Sequence, residues 1–277
     1  MPAMSATPAP SPSASTRSPR PAPTQEAPPK ARGASRAVLK TEARLFLREP
    51  GSLFWILVFP TLLLVILGLI PSFREPVPSM GGLRTIDLYV PVALLLASIT
   101  TGIQVMPAVL TGYRERGILR RMSTTPVRPA ALLGAQIALH GTAAAVSMAL
   151  ALTVGRVAFG VALPEQPVGY ALALVLTLCS ALALGCLLCA LSATTKAANV
   201  AGSAVFFPMM FAAGVWAPVQ SMPDTLQQIV QLLPFGAASQ ALAQASSGHW
   251  PGWSHLAVPA AWTLVLAEVA RRRFRWE

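Results

Sequence analysis

Charged residues are scarce in this sequence of 277 residues. Asp, Glu, Lys and Arg together make up 11% of the chain, whereas hydrophobic residues make up 54%. A soluble domain normally carries about a quarter charged residues, so this composition argues against a soluble protein. Long apolar runs with so little charge are typical of an integral membrane protein, and we expect an all-α fold.

Acidic residues are the scarcer kind, and the chain carries a formal net charge of +11. Such an excess of Lys and Arg can indicate a nucleic-acid-binding protein. Here the basic residues lie in short segments beside apolar runs, which is typical of a membrane topology signal. We therefore expect membrane lipid, and no nucleic acid, as a partner.

Cysteine is almost absent, and its three copies all lie in one apolar run. Cys186 and Cys189 form a C-x-x-C pair, which can indicate redox or zinc chemistry in a soluble protein. No second pair, histidine or acid lies nearby to complete such a site. We interpret Cys179, Cys186 and Cys189 as small packing residues and expect neither a disulfide framework nor a metal site.

Residues 1–35 contain nine prolines and nine Ser or Thr residues. This segment has too little apolar surface to bury, which predicts a disordered tail, and it lacks the apolar region of a signal peptide. The remaining residues, 36–277, are predicted to form the membrane domain.

The membrane domain opens with a basic segment at residues 36–50. Arg36, Lys40, Arg44 and Arg48 recur every four residues. One interpretation is an amphipathic helix on the membrane surface, with its cations against anionic headgroups. The other is a basic flank that anchors the first span.

Six apolar runs follow, each long enough as a helix to cross a hydrocarbon core of about 30 Å. Prolines inside these runs, among them Pro60, Pro107, Pro208 and Pro259, are expected to kink the helices. The predicted spans cover residues 52–70, 88–111, 131–157, 168–191, 200–217 and 253–270.

The distribution of Lys and Arg predicts the orientation of these spans. Eighteen of the 21 lie in residues 1–50, in residues 112–129, at Lys196 or in the C-terminal RRRFRWE. Lys and Arg are retained in the cytoplasm, so we expect both termini and residues 112–129 on that side.

Residues 219–247, between the last two predicted spans, carry a single charge, Asp224. Leu226, Ile229, Val230 and Leu233 follow the spacing of an amphipathic helix, with Asp224 as a possible N-cap. A second helical stretch follows Pro234. Two interpretations remain open: a helical hairpin that enters the outer leaflet, or helices that lie on the headgroups.

The segment between the second and third predicted spans reads YRERGILRRMSTTPVRP. Retention of positive charge would explain its arginines. It would not explain an acid, a glycine and the apolar residues Tyr113, Ile118, Leu119 and Met122 between them. This pattern predicts a short helix that contacts a protein partner on the cytoplasmic face and stops at Pro126.

The run RERGILRRMSTTPVRPAALLGAQ resembles the signature of type-2 ABC exporter permeases. EARLFLREPGSLFWILVFP is similar to the interfacial helix and first span of that family, and MPDTLQQIVQLLPFGAASQALAQA to its outer hairpin. Within the family, the sequence resembles drug exporters of the daunorubicin-resistance type. Leu233 and the run SQALAQ depart from the family, which often has Asn and a following arginine there.

The resemblance implies an export subunit of a bacterial cytoplasmic membrane that moves an amphipathic drug, lipid or glycan. Two permeases, identical or different, would form the pathway above two ATPase subunits. The helix from Arg114 to Met122 would couple the two kinds of subunit. Its contact residues would be Arg114, Glu115, Arg116, Gly117, Leu119 and Met122.

We expect this chain to perform no catalysis and to bind no cofactor. It contains no phosphate-binding G-x-x-x-x-G-K-[ST] loop and no Gly-Lys pair. A separate ATPase would therefore bind ATP and Mg²⁺.

Two alternatives belong to other classes. An ion-coupled transporter needs ionisable groups inside the membrane, but Glu268 is placed to pair with Arg271 and Arg272. A lipid-modifying enzyme needs clustered nucleophiles, acids or metal ligands, and His249 and His255 have no carboxylate nearby.

Some residues of the second and third spans are polar or polarisable. They are candidates to line the pathway, although each could instead pack in the protein. The candidates are Gln104, Gln136, His140 and Met148.

Overall fold

The structure is a computed structural model that describes residues 31–78, 82–122, 129–219 and 222–273. The predicted tail up to residue 30 and the predicted stop at 123–128 lie outside these ranges. The described residues are almost entirely helical, and their only strand-like feature is an isolated bridge between Pro76 and Arg84.

The helices are α1 (Ala31–Phe46), α2 (Pro50–Leu69), α3 (Thr85–Glu115), α4 (Ile118–Met122), α5 (Pro129–Phe159), α6 (Pro167–Leu191), α7 (Thr195–Ala212), α8 (Asp224–Gln231), α9 (Pro234–Ser246) and α10 (Trp253–Arg273).

Four helices among the described residues are long and apolar enough to cross a membrane: α2, α3, α5 and α6. They coincide with the first four predicted spans, and the all-α membrane fold is confirmed. Helices α7 and α10 lie at the fifth and sixth predicted spans. The prediction placed the fifth span at 200–217, whereas α7 ends at Ala212 and Gly214 then takes a left-handed φ of 84°.

Helix α1 corrects the predicted boundary of the tail. Residues 31–35 were assigned to the disordered segment, but the helix already begins at Ala31. Alanine is the strongest helix former, and Ala31 and Ala34 extend the helix towards the N-terminus. Because α1 packs along α5, it is more than a basic flank.

Two prolines change the helical geometry one turn before them. In α2, residues Phe54–Val58 form a π-helical turn ahead of Pro60, and in α3 residues Thr100–Val105 do the same ahead of Pro107. Proline has no N–H to bond the carbonyl four residues earlier. The backbone hydrogen bonds just ahead of each of these prolines therefore take the wider i→i+5 spacing of a π-helix. Pro208 and Pro259 lie inside α7 and α10 without such a turn.

Helix α3 is the centre of the bundle. Its apolar stretch is 83% buried, against 28% for α2 and 33% for α5. Leu94, Leu95, Leu96 and Ala97 have no exposed surface. The peripheral helices therefore present their apolar side chains to the surroundings, as a lipid-facing surface requires.

Glycines allow α3 to approach its neighbours closely. A Cβ at Gly102 of α3 would meet the Ala181 carbonyl of α6, and a Cβ at Gly185 of α6 would meet the Gly102 carbonyl. A Cβ at Gly202 of α7 would lie 2.9 Å from the Ile103 carbonyl oxygen. Small residues at such crossings are the usual means of close helix contact in membranes.

The predicted helical hairpin consists of α8 and α9. Helix α9 packs against α3, α6 and α10, and Phe235, Ala238 and Leu242 on it are fully buried. It is therefore part of the bundle rather than a helix lying apart on its surface. Asp224 is the first residue of α8 and not its N-cap, because Pro223 occupies that position.

The ion pair predicted at the end of the last span is confirmed. Glu268 bonds Arg271 Nε at 2.8 Å and Arg272 Nε at 2.6 Å. The two arginine side chains are largely exposed and that of Glu268 is 41% exposed at the end of α10, so this group is no buried ion-coupling site.

Gly185→Ala tests the close crossing of α3 and α6. We expect the substitution to lower the free energy of unfolding by about 1–3 kcal/mol, the usual cost of overpacking, because the added methyl meets the Gly102 backbone. The midpoint of thermal unfolding in detergent measures this. Gly134→Ala on α5 is the control, since its Cβ would meet nothing within 4 Å. An equal effect of both substitutions would contradict the close crossing.

Candidate coupling site at the end of α3

The predicted coupling segment is divided between two helices. Helix α3 continues to Glu115, and Gly117 then takes a left-handed φ of 66° before α4 begins at Ile118. The prediction of one helix from Arg114 to Met122 is therefore wrong, because a glycine in this conformation ends a helix. A Cβ at Gly117 would meet nothing within 4 Å, so this glycine serves the turn and not a close contact within the chain.

Helix α4 is attached to the bundle by its apolar side. Leu119 is 5% exposed and packs with Tyr113 and Leu132, with Ile118 and Val38 beside them. Leu119 was predicted to contact the ATPase, but the structure buries it in this cluster. Its physical role is to hold α4 against α1, α3 and α5.

The opposite side of α4 is basic. Arg120 and Arg121 of α4 are exposed, and so is Arg116, which lies at the end of α3 just before Gly117. Arg116 is held by Gly112, whose carbonyl accepts from its Nε at 3.0 Å, and by the ring of Tyr113, whose centroid lies 5.6 Å from its guanidinium carbon. Met122 is the last residue of α4. The segment thus presents cations outward on an apolar base.

Arg114 bonds the end of another helix. Its Nη1 donates to the carbonyl oxygens of Cys189 at 3.0 Å and Ser192 at 2.5 Å. Ser192 is the C-cap of α6. Carbonyls at a helix C-terminus have no partner inside the helix and carry partial negative charge, so a guanidinium is well suited to this position.

Glu115 bonds the start of the next helix. Its two carboxylate oxygens accept from the backbone N of Thr195 at 3.0 Å and from the Thr195 hydroxyl at 2.7 Å. Thr194 caps the same helix by accepting from the backbone N of Ala197 at 3.1 Å. A carboxylate at a helix N-terminus satisfies free N–H groups and complements the positive end of the helix dipole.

Arg114 and Glu115 therefore form a helix-end clamp on the turn between α6 and α7. The cation lies at a C-terminus and the anion at an N-terminus, as the helix dipoles require. The sequence analysis missed Ser192 and Thr195 as partners. The only available signal was the Thr-Thr pair after the fourth apolar run, which is typical of a helix start.

A second polar group joins α1 to this region. The carboxylate of Glu42 is buried and accepts from the Tyr113 hydroxyl at 2.8 Å and from Nε2 of Gln136 at 2.6 Å. Burial raises the pKa of Glu42, and the two hydrogen bonds oppose that shift. Nothing in the sequence set Glu42 apart from the other charges of α1, so this contact was not predicted.

Three of the four candidate pathway residues, Gln136, His140 and Met148, are buried within the chain. The amide of Gln136 is hydrogen-bonded to the Glu42 carboxylate. His140 is fully buried, and its ring packs edge-on against the ring of Phe46 with 5.1 Å between the centroids. His140 Nδ1 lies 2.9 Å from the Gln136 carbonyl oxygen. Met148 is buried in the main core.

Gln104 alone of these candidates lines a large cavity. This cavity of about 650 Å³ lies between the start of α2, the second half of α3 and α7. Its lining mixes polar and apolar side chains: Glu49, Ser52, Trp55, Thr100, Gln104, Val105, Ala108, Val109, Arg116, Asn199 and Phe206. Among the described residues, no group of three His, Cys, Asp or Glu side chains could hold a metal ion.

Glu115→Ala tests the helix-end clamp. Without the carboxylate, Thr195 loses two hydrogen bonds, and we expect faster amide hydrogen exchange over the first turn of α7, residues 195–198. Glu268→Ala removes a carboxylate of similar environment at the end of α10 and should leave this turn unchanged. Unaltered exchange in Glu115→Ala would show that Thr194 caps α7 without help from the clamp.

A family model described as ABC-2 type transporter matches residues 34–245. The matched range extends from α1 to α9 and includes α4 and the helix-end clamp. Among curated proteins, none matches this chain. Because the family model covers well over half of the sequence, the predicted resemblance to this family is confirmed, and the chain belongs to the ABC-2 type transporter family.

Proposed function

We propose that this chain is the membrane subunit of an exporter that uses ATP hydrolysed by a separate subunit. The observation that carries the proposal is α4, which presents Arg120 and Arg121 outward, next to the exposed Arg116 at the end of α3, while Leu119 fixes α4 to the bundle. A surface of this kind suits an acidic groove on a partner protein. The family provides the class of that partner, an ABC ATPase.

The proposed orientation places α4 and both termini in the cytoplasm, with six helices across a bacterial cell membrane. Helix α7, with 18 residues, is about 27 Å long, and α10, with 21 residues, is about 31 Å long. Both approach the thickness of the hydrocarbon core. Leu264 and Phe207 are exposed on them at 72% and 56%, which suits contact with lipid or a second permease.

The proposed transport pathway is the cavity that Gln104 lines. Glu49 and Arg116 lie in its lining with Trp55 and Phe206, so it offers both charged and aromatic contacts to an amphipathic molecule. Because the cavity lies at the surface between α2, α3 and α7, a second permease, identical or different, would complete its wall.

Energy would enter through α4. Closure of the ATPases would displace α4, and the helix-end clamp would carry this displacement from α3 to the turn between α6 and α7. ATP and Mg²⁺ would bind to the partner subunit, and this chain would supply the moving helices. The second candidate, an ion-coupled transporter, would need an ionisable group in a span. The buried carboxyl of Glu42 lies in α1 instead, and the buried His140 of α5 packs against Phe46 with its Nδ1 at the Gln136 carbonyl.

Charge reversal on α4 tests the partner surface. We expect the double variant Arg120→Glu and Arg121→Glu to lower the yield of co-purified ATPase by about tenfold or more, because like charges across an interface cost several kcal/mol. ATP-driven export should fall in parallel. The pair Arg120→Lys and Arg121→Lys keeps the charge and should retain most of the complex.

The matched control for charge reversal is the pair Arg272→Glu and Arg273→Glu at the end of α10. It makes the same change in charge on the same proposed side of the membrane, away from α4. Equal loss of complex in both reversed pairs would attribute the effect to net charge and reject α4 as the docking surface. Export by a proton gradient without ATP would favour the ion-coupled transporter.

Single cysteines in a background without the native three test the orientation. A cysteine at position 120 should resist an impermeant maleimide in intact cells and react after the membrane is opened. A cysteine at position 163, in the loop between α5 and α6, should react from outside because Leu163 is 56% exposed. The reverse pattern would invert the topology and remove the basis for docking at α4.

A further inference from the structure

A second cavity lies at the end of the bundle opposite α4. Its volume is about 440 Å³, and it is bounded by the start of α3, the end of α5, the start of α6 and by α9. Most of its wall is apolar and includes Leu88, Val92, Leu152 and Val161. It shares no lining residue with the cavity at Gln104, so the two cavities are separate sites.

Two residues that carry hydroxyl groups line this apolar cavity. Tyr170 is 4% exposed and Ser239 is 7% exposed. Within the part of the chain that the structure describes, neither hydroxyl makes a hydrogen bond to the protein, and neither oxygen is among the polar atoms that are sealed from solvent without a partner. Both hydroxyls are therefore open to the cavity and can bond a polar group that enters it.

The charged residues of the cavity already neutralise each other. Arg84 Nη2 lies 2.7 Å from Asp87 Oδ1, and Arg84 Nη1 donates to the Phe159 carbonyl at 2.9 Å. A ligand that carried net charge would leave one member of this group unbalanced. The lining therefore favours an uncharged molecule.

We propose that this cavity binds an uncharged amphiphile. Its apolar chain or ring system would pack against Leu88, Val92 and Leu152, and its hydroxyl or carbonyl group would bond Tyr170 and Ser239. The volume lies within the range of ligand pockets, about 300–1,000 Å³, and such pockets combine apolar walls with a few polar groups. The inference does not depend on an ATPase partner or on export.

The surroundings provide a route for such a ligand from the membrane. Leu83 and Leu163 border the cavity region and are 50% and 56% exposed, and Val157 near the end of α5 is 81% exposed. These side chains would contact acyl chains in a bilayer. The ligand could be an uncharged lipid of the leaflet or an uncharged cargo, and both share the recognition chemistry.

Photolabelling tests the site. The protein, in phosphatidylcholine nanodiscs, is treated with a monoacylglycerol that carries a photoreactive diazirine in its acyl chain. We expect saturable labelling of peptides from residues 83–92 and 239–247, and competition by unlabelled monoacylglycerol. Tyr170→Phe and Ser239→Ala should each weaken the apparent affinity by about two- to tenfold, the usual effect of one hydrogen bond.

Ala243→Trp is designed to fill the cavity and should abolish the saturable component. Leu264→Trp adds the same side chain to the exposed surface of α10 and should leave labelling unchanged. Tyr170→Phe keeps the shape of the side chain, so its result remains informative if Ala243→Trp fails to fold. Unsaturable labelling, or equal labelling of the wild type and Tyr170→Phe with Ser239→Ala combined, would show that the hydroxyls are merely hydrated and would overturn the proposal.

A resident lipid and a transported cargo would respond differently to ATP turnover by the partner. In vesicles with the ATPase partner, label occupancy that falls when ATP is added would identify a transported cargo. Label occupancy that does not change when ATP is added would identify a resident lipid. Loss of the site in the nanodisc assay rejects this proposal alone, whereas loss of ATP-driven export in otherwise normal vesicles rejects the proposed function alone.

Discussion

The structure depends on one pair of contacts: Arg114 bonds the last carbonyls of α6, and Glu115 bonds the first N–H of α7. Backbone groups at helix ends have no partners inside their own helix. Two neighbouring residues of α3 satisfy a C-terminus and an N-terminus at once. The end of the most buried helix is thereby fixed to the turn that joins two others, and the glycine crossings at Gly102 and Gly185 keep the same helices in contact further along.

This arrangement gives the segment after α3 two separate physical roles. The residues before Gly117 hold the bundle together, and those after it form a short helix whose exposed side is basic. The left-handed glycine separates them. A force applied to α4 would reach α3 through the packed Leu119 and Tyr113, and would then reach α6 and α7 through the helix-end clamp. Under the proposed function, the displacement of α4 would thus be transmitted through hydrogen bonds to backbone groups, which have fixed positions.

Sequence periodicity located the long helices because lipid requires long apolar runs. It also placed a polar segment with its arginines after α3. It could not divide that segment, because Arg114 and Glu115 look like surface charges until Ser192 and Thr195, some eighty residues later, are brought beside them. Glu42 was missed for the same reason: its partners Tyr113 and Gln136 are distant in sequence. Long-range polar contacts have no local pattern, whereas burial of apolar faces has one.

The N-terminal end of α3 is fixed in the same way as its C-terminal end. Arg84, just before the helix, donates to the carbonyl of Phe159 at the last residue of α5, as Arg114 does at the end of α6. An arginine at each end of the central helix therefore satisfies the carbonyls of a neighbouring helix where the bilayer would provide few donors. In a chain with so little charge, these cations stabilise helix ends without entering the apolar interior. The helix ends are thereby fixed at both ends of α3, while the middle of each of the four long apolar helices needs no Asp, Glu, Lys or Arg.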